Sequence, residues 1–286
     1  AGTSGDKLMH ERGLTAFTDA MKCSYHTGIP LIQSFSPRLS FTHALSSIQL
    51  LADSSIYKTR LDDMNNKPVL LVSSKQQLNN REARIKSMAR DFWEDDYITL
   101  SILPVKAFNT GYSGWLQHAE EIRDSLTCEG NICSDTDPEL VYYNGFENSS
   151  SDITFSGSGA IYKKQGEAEI LNHVFEVDSV AWKSEISFWM FIDSRTDNMP
   201  QPVLYVWDEK GQLLVKTKFE NRELHNVYSQ WARLSADVDF EKGKRYQLVV
   251  TGKYITIDDL LIKPVNANVL VITADTELFN NYQLKK

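Results

Sequence analysis

The sequence predicts a two-domain α+β chain, with a small α/β domain over residues 1–134 and an antiparallel β-sandwich or barrel over 135–286. Three observations predict it. At 286 residues and 42% apolar content, the chain is long enough to bury two ordinary cores. Near residue 135 the apolar pattern changes from alternating strand-like and helix-like runs to strand-like runs almost throughout. Turn-forming residues then recur at short, regular intervals, as they do where many short antiparallel strands are stacked.

In the first part, 29–34 reads as a strand, 39–64 has helical spacing and 69–73 reads as a buried strand. A helix follows from the Asn79-Asn80 cap, carrying Ile85, Met88 and Ala89 on its apolar side. Residues 97–104 return to an extended run, and 110–126 turns helical in its second half. This alternation argues a layered α/β structure. In the second part the strand candidates are 155–162, 168–171, 185–193, 203–207, 212–219, 231–238, 246–251 and 254–262. Asp208-Glu-Lys-Gly211 is a turn between two of them, with glycine where a positive φ is wanted.

The charge balance of 30 basic against 38 acidic residues gives a net −8 with no Lys/Arg cluster, so nucleic acid is an unsuitable partner. No apolar run reaches the length of a membrane span, so any membrane attachment depends on segments outside this chain. The chain opens on Ala1 rather than Met, which suggests a processed protein or a piece of a longer one. Cys128 and Cys133 lie in the turn-like Thr127-Cys-Glu-Gly-Asn-Ile-Cys-Ser134, where they either close a small loop or remain two thiols. A bridge would imply an oxidising compartment. Asn148-Ser149-Ser150 matches a glycosylation acceptor, a triplet common by chance.

No catalytic motif emerges. The acid pairs at 62–63, 94–96, 120–121 and 208–209 are adjacent in sequence, whereas glycosidic cleavage needs two carboxylates facing each other across a cleft. His118-Ala-Glu-Glu121 lacks a second His, and Phe155-Ser-Gly-Ser-Gly-Ala160 is not a nucleophile elbow. The aromatics suggest binding instead. Trp189 and Phe191 share one strand face, and Tyr205 and Trp207 share another, by the period of two. Exposed rings of this kind stack on sugar faces, so Trp189, Tyr205 and Trp207 are candidate carbohydrate-binding residues; core packing is the competing role. Trp231 reads as core, and Trp182 as either.

Val141-Tyr-Tyr-Asn-Gly-Phe-Glu-Asn148, Gln230-Trp-Ala-Arg-Leu234 and Tyr254-Ile-Thr-Ile-Asp-Asp-Leu-Leu-Ile262 together resemble the opening, Trp-centred and closing strands of jelly-roll carbohydrate-binding modules. The likeness covers about residues 139–266. It implies a jelly-roll sandwich that binds a polysaccharide or glycan. It also implies a structural calcium held by Glu147 and by Asp258 or Asp259, for which hard carboxylate oxygens are suited. The stretches Lys67-Pro-Val-Leu-Leu-Val-Ser-Ser74 and 96–104 are similar to the extracytoplasmic tails of some large bacterial inner-membrane proteins, some of them glycosyltransferase-like. That likeness implies a periplasmic or cell-surface location and a non-catalytic envelope role. The alternatives are an accessory fragment of a glycoside hydrolase and a structural protein-interaction domain.

Overall fold

The computed structural model describes residues 14–30, 41–75, 78, 80–149, 151–175, 182–195, 199–219, 224 and 226–284. The helices are α1 (Leu14–Thr27), α2 (Phe41–Ile48), α3 (Asn80–Ser87) and α4 (Val105–Arg123). The first strands are β1 (Val69–Ser74), β2 (Arg90–Glu94), β3 (Ile98–Leu103), β4 (Thr127–Glu129), β5 (Ile132–Ser134) and β6 (Tyr142–Asn144). Next come β7 (Ile161–Val174), β8 (Trp182–Phe191), β9 (Gln201–Trp207), β10 (Leu213–Lys218), β11 (Val227–Tyr228) and β12 (Trp231–Phe240). The last are β13 (Arg245–Pro264), β14 (Val269–Ile272), β15 (Glu277–Phe279) and β16 (Tyr282–Gln283).

The chain forms two compact units, one of residues 1–117 and 222–230, the other of 118–221 and 231–286. The sequence reading placed the change of character at 134/135; the compact units divide at 117/118. The hairpin β4–β5 belongs to the second unit because β5 pairs with β14, with Cys133 opposite Leu270.

In the first unit the sheet order is β1-β3-β2, antiparallel throughout. Leu103 of β3 is buried with Ile85 of α3, Val105 and Phe108 of α4, and Leu50, Leu51 and Leu61, while Val69 and Leu71 of β1 pack against that cluster. The expected strand at 69–73, the helix at 80 and the strand near 97–104 are present. The helical run expected over 39–64 is instead α2 followed by two 3-10 turns, Gln49–Leu51 and Thr59–Met64. The expected strand at 29–34 lies largely outside the described residues, as do the Asn79 cap and Ser150 of the glycosylation triplet.

The second unit is a β-sandwich. Its main sheet runs β10-β9-β13-β8-β12, with β6 and β7 also paired to β13. Strand β13 does the work expected of two strands: residues 245–251 pair with β9, and 257–264 with β8. Gly252 at φ +151° lies where the strand passes from one half to the other, and a Cβ there would stand 3.0 Å from Cα of Pro200. The sheet curls so that its inner rows meet. Ile186, Phe188 and Met190 of β8, Leu204 and Val206 of β9, and Leu248, Val250 and Ile257 of β13 are all buried, alternating along each strand as a sandwich core requires. Phe240 meets Tyr246 at 4.3 Å between ring centroids and Phe175 at 4.7 Å, which closes one end of the core. A second sheet, β16-β15-β14-β5-β4, joins the hairpin that precedes the sandwich strands to the three strands that follow them, and the sequence reading missed β14–β16.

Candidate functional site

Two features of the sandwich unit carry chemistry. The first is the outer face of β9 and β13. Along β9, Leu204 and Val206 turn into the core, which turns Tyr205 and Trp207 outward and leaves both partly exposed. Their rings lie 6.3 Å apart with 26° between planes, so they form one gently angled surface. The register fixes their neighbours: Tyr205 stands opposite Lys216 of β10 and Gln247 of β13, and Trp207 opposite Arg245. Lys216 Nζ is 5.2 Å from the Tyr205 centroid, and Arg245 Cζ is 5.2 Å from that of Trp207. Gln247 Nε2 donates to Glu169 Oε2 at 2.5 Å, which places a carboxylate and an amide beside the rings. Apolar ring faces bordered by such polar groups can take a sugar by stacking and orient its hydroxyls from the rim.

Trp189 is not part of this surface, which corrects the expectation for that residue. It is 1% exposed and stacks on Phe155 at 3.9 Å and 14°, and its Nε1 donates to the carbonyl of Asn281 at 2.8 Å. The period of two puts Trp189 on the outer side of β8 as expected. The segment around Phe155 and the C-terminal strands then cover that side. Tyr282 packs edge-on against the same indole. Trp231 is core as expected, and Phe191 lies against it at 5.4 Å. Trp182 stacks on Phe240, on the core side.

The second feature is a group of carboxylates at the junction of the opening and closing segments. Asp258 and Asp259 are fully buried. Asp258 accepts from the amides of Phe155, Ser156 and Asp259 at 2.7, 3.2 and 2.8 Å. Asp259 Oδ1 accepts from the Tyr143 hydroxyl at 2.5 Å and from Ser156 Oγ at 2.8 Å, while its Oδ2 is buried with no hydrogen-bond partner among the described residues. Burial pushes both carboxyls well above the ordinary Asp range. The neighbouring Asp259 charge adds to this at Asp258, and Glu147 and Asp275 add to it at Asp259. Glu147 accepts from the amide and hydroxyl of Ser158. A Cβ on Gly145 would meet both Tyr143 Oη, at 2.8 Å, and Glu147 Oε1, at 3.2 Å, so Glu147 lies close to the Tyr143–Asp259 pair. Among the described residues, no three His, Cys, Asp or Glu side chains form a ready-made metal group. An unpartnered buried carboxylate oxygen is costly, and it is relieved either by a proton on the carboxyl or by a hard cation.

Cys128 and Cys133 stand opposite each other in the β4–β5 hairpin and are joined by a disulfide. This settles the alternative left open by the sequence.

No family model matches the chain, and no curated protein does. Among solved structures, the chain is similar to a CBM35 module from Cellvibrio japonicus Abf62, at 14% identity and a TM-score of 0.30 over 50% of this chain and 92% of that one. It is also similar to a Xyl-CBM35 solved with a glucuronic acid containing disaccharide, at 16% identity and a TM-score of 0.30 over 50% and 93%. A third is a GH115 4-O-methyl-alpha-glucuronidase, BtGH115A, at 14% identity and 0.27, covering 49% of this chain and 18% of that one. Scores this low carry nothing about ligand or reaction over to this chain.

Proposed function

We propose that the sandwich unit is a glycan-binding module whose ligand lies across Tyr205 and Trp207. One observation carries this reading: two aromatic rings face outward from the middle of a sheet, 26° from coplanar, with cationic and amide side chains in register beside them. A role in binding rather than cleavage is supported by the acid pair at 258–259, which is fully buried and whose oxygens, Asp259 Oδ2 apart, serve backbone amides and internal hydroxyls. Affinity electrophoresis of the whole chain against a panel of soluble polysaccharides tests it. Retardation by at least one of them is expected, abolished by Trp207→Ala at nearly unchanged melting temperature. In contrast, Trp189→Ala lowers stability by roughly 3–5 kcal/mol, because it empties a packed site. Unchanged retardation in Trp207→Ala would remove the platform.

The same reading includes a structural calcium held by Asp259 and Glu147, with Asp258 fixing the strand that carries them. The orphaned Asp259 oxygen and the all-oxygen donor set support it. It also includes an extracytoplasmic setting as part of an envelope protein, supported by the Cys128–Cys133 bridge, since such bonds persist in oxidising compartments.

A further inference from the structure

In the first unit, strand β3 reverses the polarity expected of a sheet with one side in water. Thr99, Ser101 and Leu103 point inward and are buried, whereas the aliphatic Ile98, Leu100 and Ile102 point outward and stay partly exposed. The inward polar row is satisfied at its centre, since Ser101 Oγ donates to Asp91 Oδ1 at 2.7 Å and accepts from Lys86 Nζ at 2.7 Å. The outward row extends across the sheet, because cross-strand partners share a face. Leu70 of β1 and Arg90 of β2 flank Ile102, and Val72 and Trp93 flank Leu100. Leu70 and Val72 are partly exposed, Trp93 is 46% exposed, and Phe92, the extra residue of a bulge beside it, is 54% exposed. The cluster built with α3 and α4 takes Val69, Leu71 and Leu103, all from the opposite face. An antiparallel sheet ordinarily turns its polar side to water. Here the apolar side is left showing, next to an edge strand whose five residues are all exposed.

We propose that a second copy of the chain docks on this face, sheet against sheet, about a two-fold axis that runs across the strands at the level of Leu100 and Trp93. Charge selects both the occupant and the axis. Arg90 lies at the Ile102 end of the face, and Asp96 lies in the β2–β3 turn, beyond Ile98 at the other end. Both are exposed, and neither forms an ion pair among the described residues. An axis across the strands exchanges the two ends, so each Arg90 meets Asp96 of the other copy while Leu100 and Trp93 meet their own counterparts. An axis along the strands would set Arg90 over Leu70 of the other copy and leave both charges unmatched. The face is thus complementary to itself, as a two-fold interface requires. It has an aliphatic centre flanked by tryptophan and arginine, the residues that anchor interfaces, with charge at its rim. Facing sheets of this kind interdigitate their side chains at a separation of about 10 Å.

Sedimentation equilibrium of the whole chain across the micromolar range tests the docking. The mass is expected to rise with concentration from one chain towards two. Leu100→Lys plants an ammonium at the centre of the face from an outward position, and should sediment as a single chain while keeping its thermal transition. Trp93→Ala, on the exposed edge, should weaken association about tenfold, and it serves where Leu100→Lys does not fold. Arg90→Asp should weaken association to a similar extent, and adding Asp96→Arg to it should restore the dimer, a rescue that requires the two positions to face each other. A single-chain mass at every concentration overturns the proposal. So does association unchanged in both Leu100→Lys and Trp93→Ala, or a charge swap that fails to restore it.

Discussion

Lys58 is 1% exposed in the first unit, and among the described residues its ammonium is met by neutral acceptors: Nζ donates to the carbonyl of Ile56 at 2.6 Å and to that of Asp53 at 2.5 Å. Burial, with the Arg84 charge added, pushes the amine from 10.5 down to about 7. Nearby Asp53 is also lowered, but in its case the charged form is the one favoured. Burial alone would raise its pKa, yet the two-pronged Arg81 contact and the Asn226 amide hold it down at about 2. Between about 7 and 10.5 the folded chain therefore carries fewer protons on Lys58 than the unfolded chain does, and the contribution of this residue to stability rises with pH across that window. Denaturant melts across that range should show a rise that Lys58→Met lacks; parallel curves for the two proteins would contradict it. At the same scale, Trp189 and Trp207 show how far a residue's role can be read from sequence. Both sit on outer faces, as the period of two predicts. What differs is the cover, since Phe155 and the strand after Asn281 lie on Trp189. Segments that arrive from distant parts of the chain leave no mark on the local pattern.

At the scale of elements, strand existence was legible in the apolar- and aromatic-rich runs of β8 and β9 and in the alternating part of β12. Less legible was β13, whose continuous run of 20 residues looked like two strands because Gly252 breaks the pattern where the strand crosses between halves. The last three strands were missed because β15 and β16 are only three and two residues long and β14 is buried on both faces, so none of them alternates for long enough. The hairpin β4–β5 was legible only as a turn with two cysteines. It completes the sheet that ends the chain: β5 pairs with β14, and Arg123 at the end of α4 makes an ion pair with Glu277 of β15. The bridge closes a short loop, for which chain-entropy estimates give about 2 kcal/mol. Reducing Cys128–Cys133 in the intact chain should therefore lower the melting temperature by several degrees. An identical transition with and without reductant would show that the hairpin contributes nothing to holding this sheet.

At the scale of the molecule, the α+β organisation and the sandwich were readable because the change in periodicity spans whole domains. The division between units was not. Residues 222–230 lie between two sandwich strands in sequence yet belong to the first unit, where Asn226 exchanges hydrogen bonds with Asp53 across 173 positions. The carboxylates at 147, 258 and 259 were legible as a group through the resemblance of the opening and closing motifs. The roles of Tyr143 and Ser156 as donors to Asp259 were not, because nothing local marks a hydroxyl whose partner lies more than 100 residues away. If Asp259 and Glu147 hold calcium, the metal ties the opening and closing segments together, and millimolar calcium should raise the melting temperature over that in chelator by an amount that Asp259→Asn abolishes. Equal melting in both conditions would remove the metal and leave a proton as what satisfies the orphaned oxygen.

The glycan platform has its own reporter, because Trp207 and Trp189 carry indole N–H groups in opposite circumstances. Nε1 of Trp189 is locked to the Asn281 carbonyl, whereas Nε1 of Trp207 is buried without an acceptor among the described residues, in a ring that is otherwise partly exposed. In a 15N-labelled sample titrated with a polysaccharide fragment that binds, the Trp207 indole resonance should move progressively with ligand while that of Trp189 stays fixed. Saturable binding with the Trp207 resonance unmoved would contradict the account.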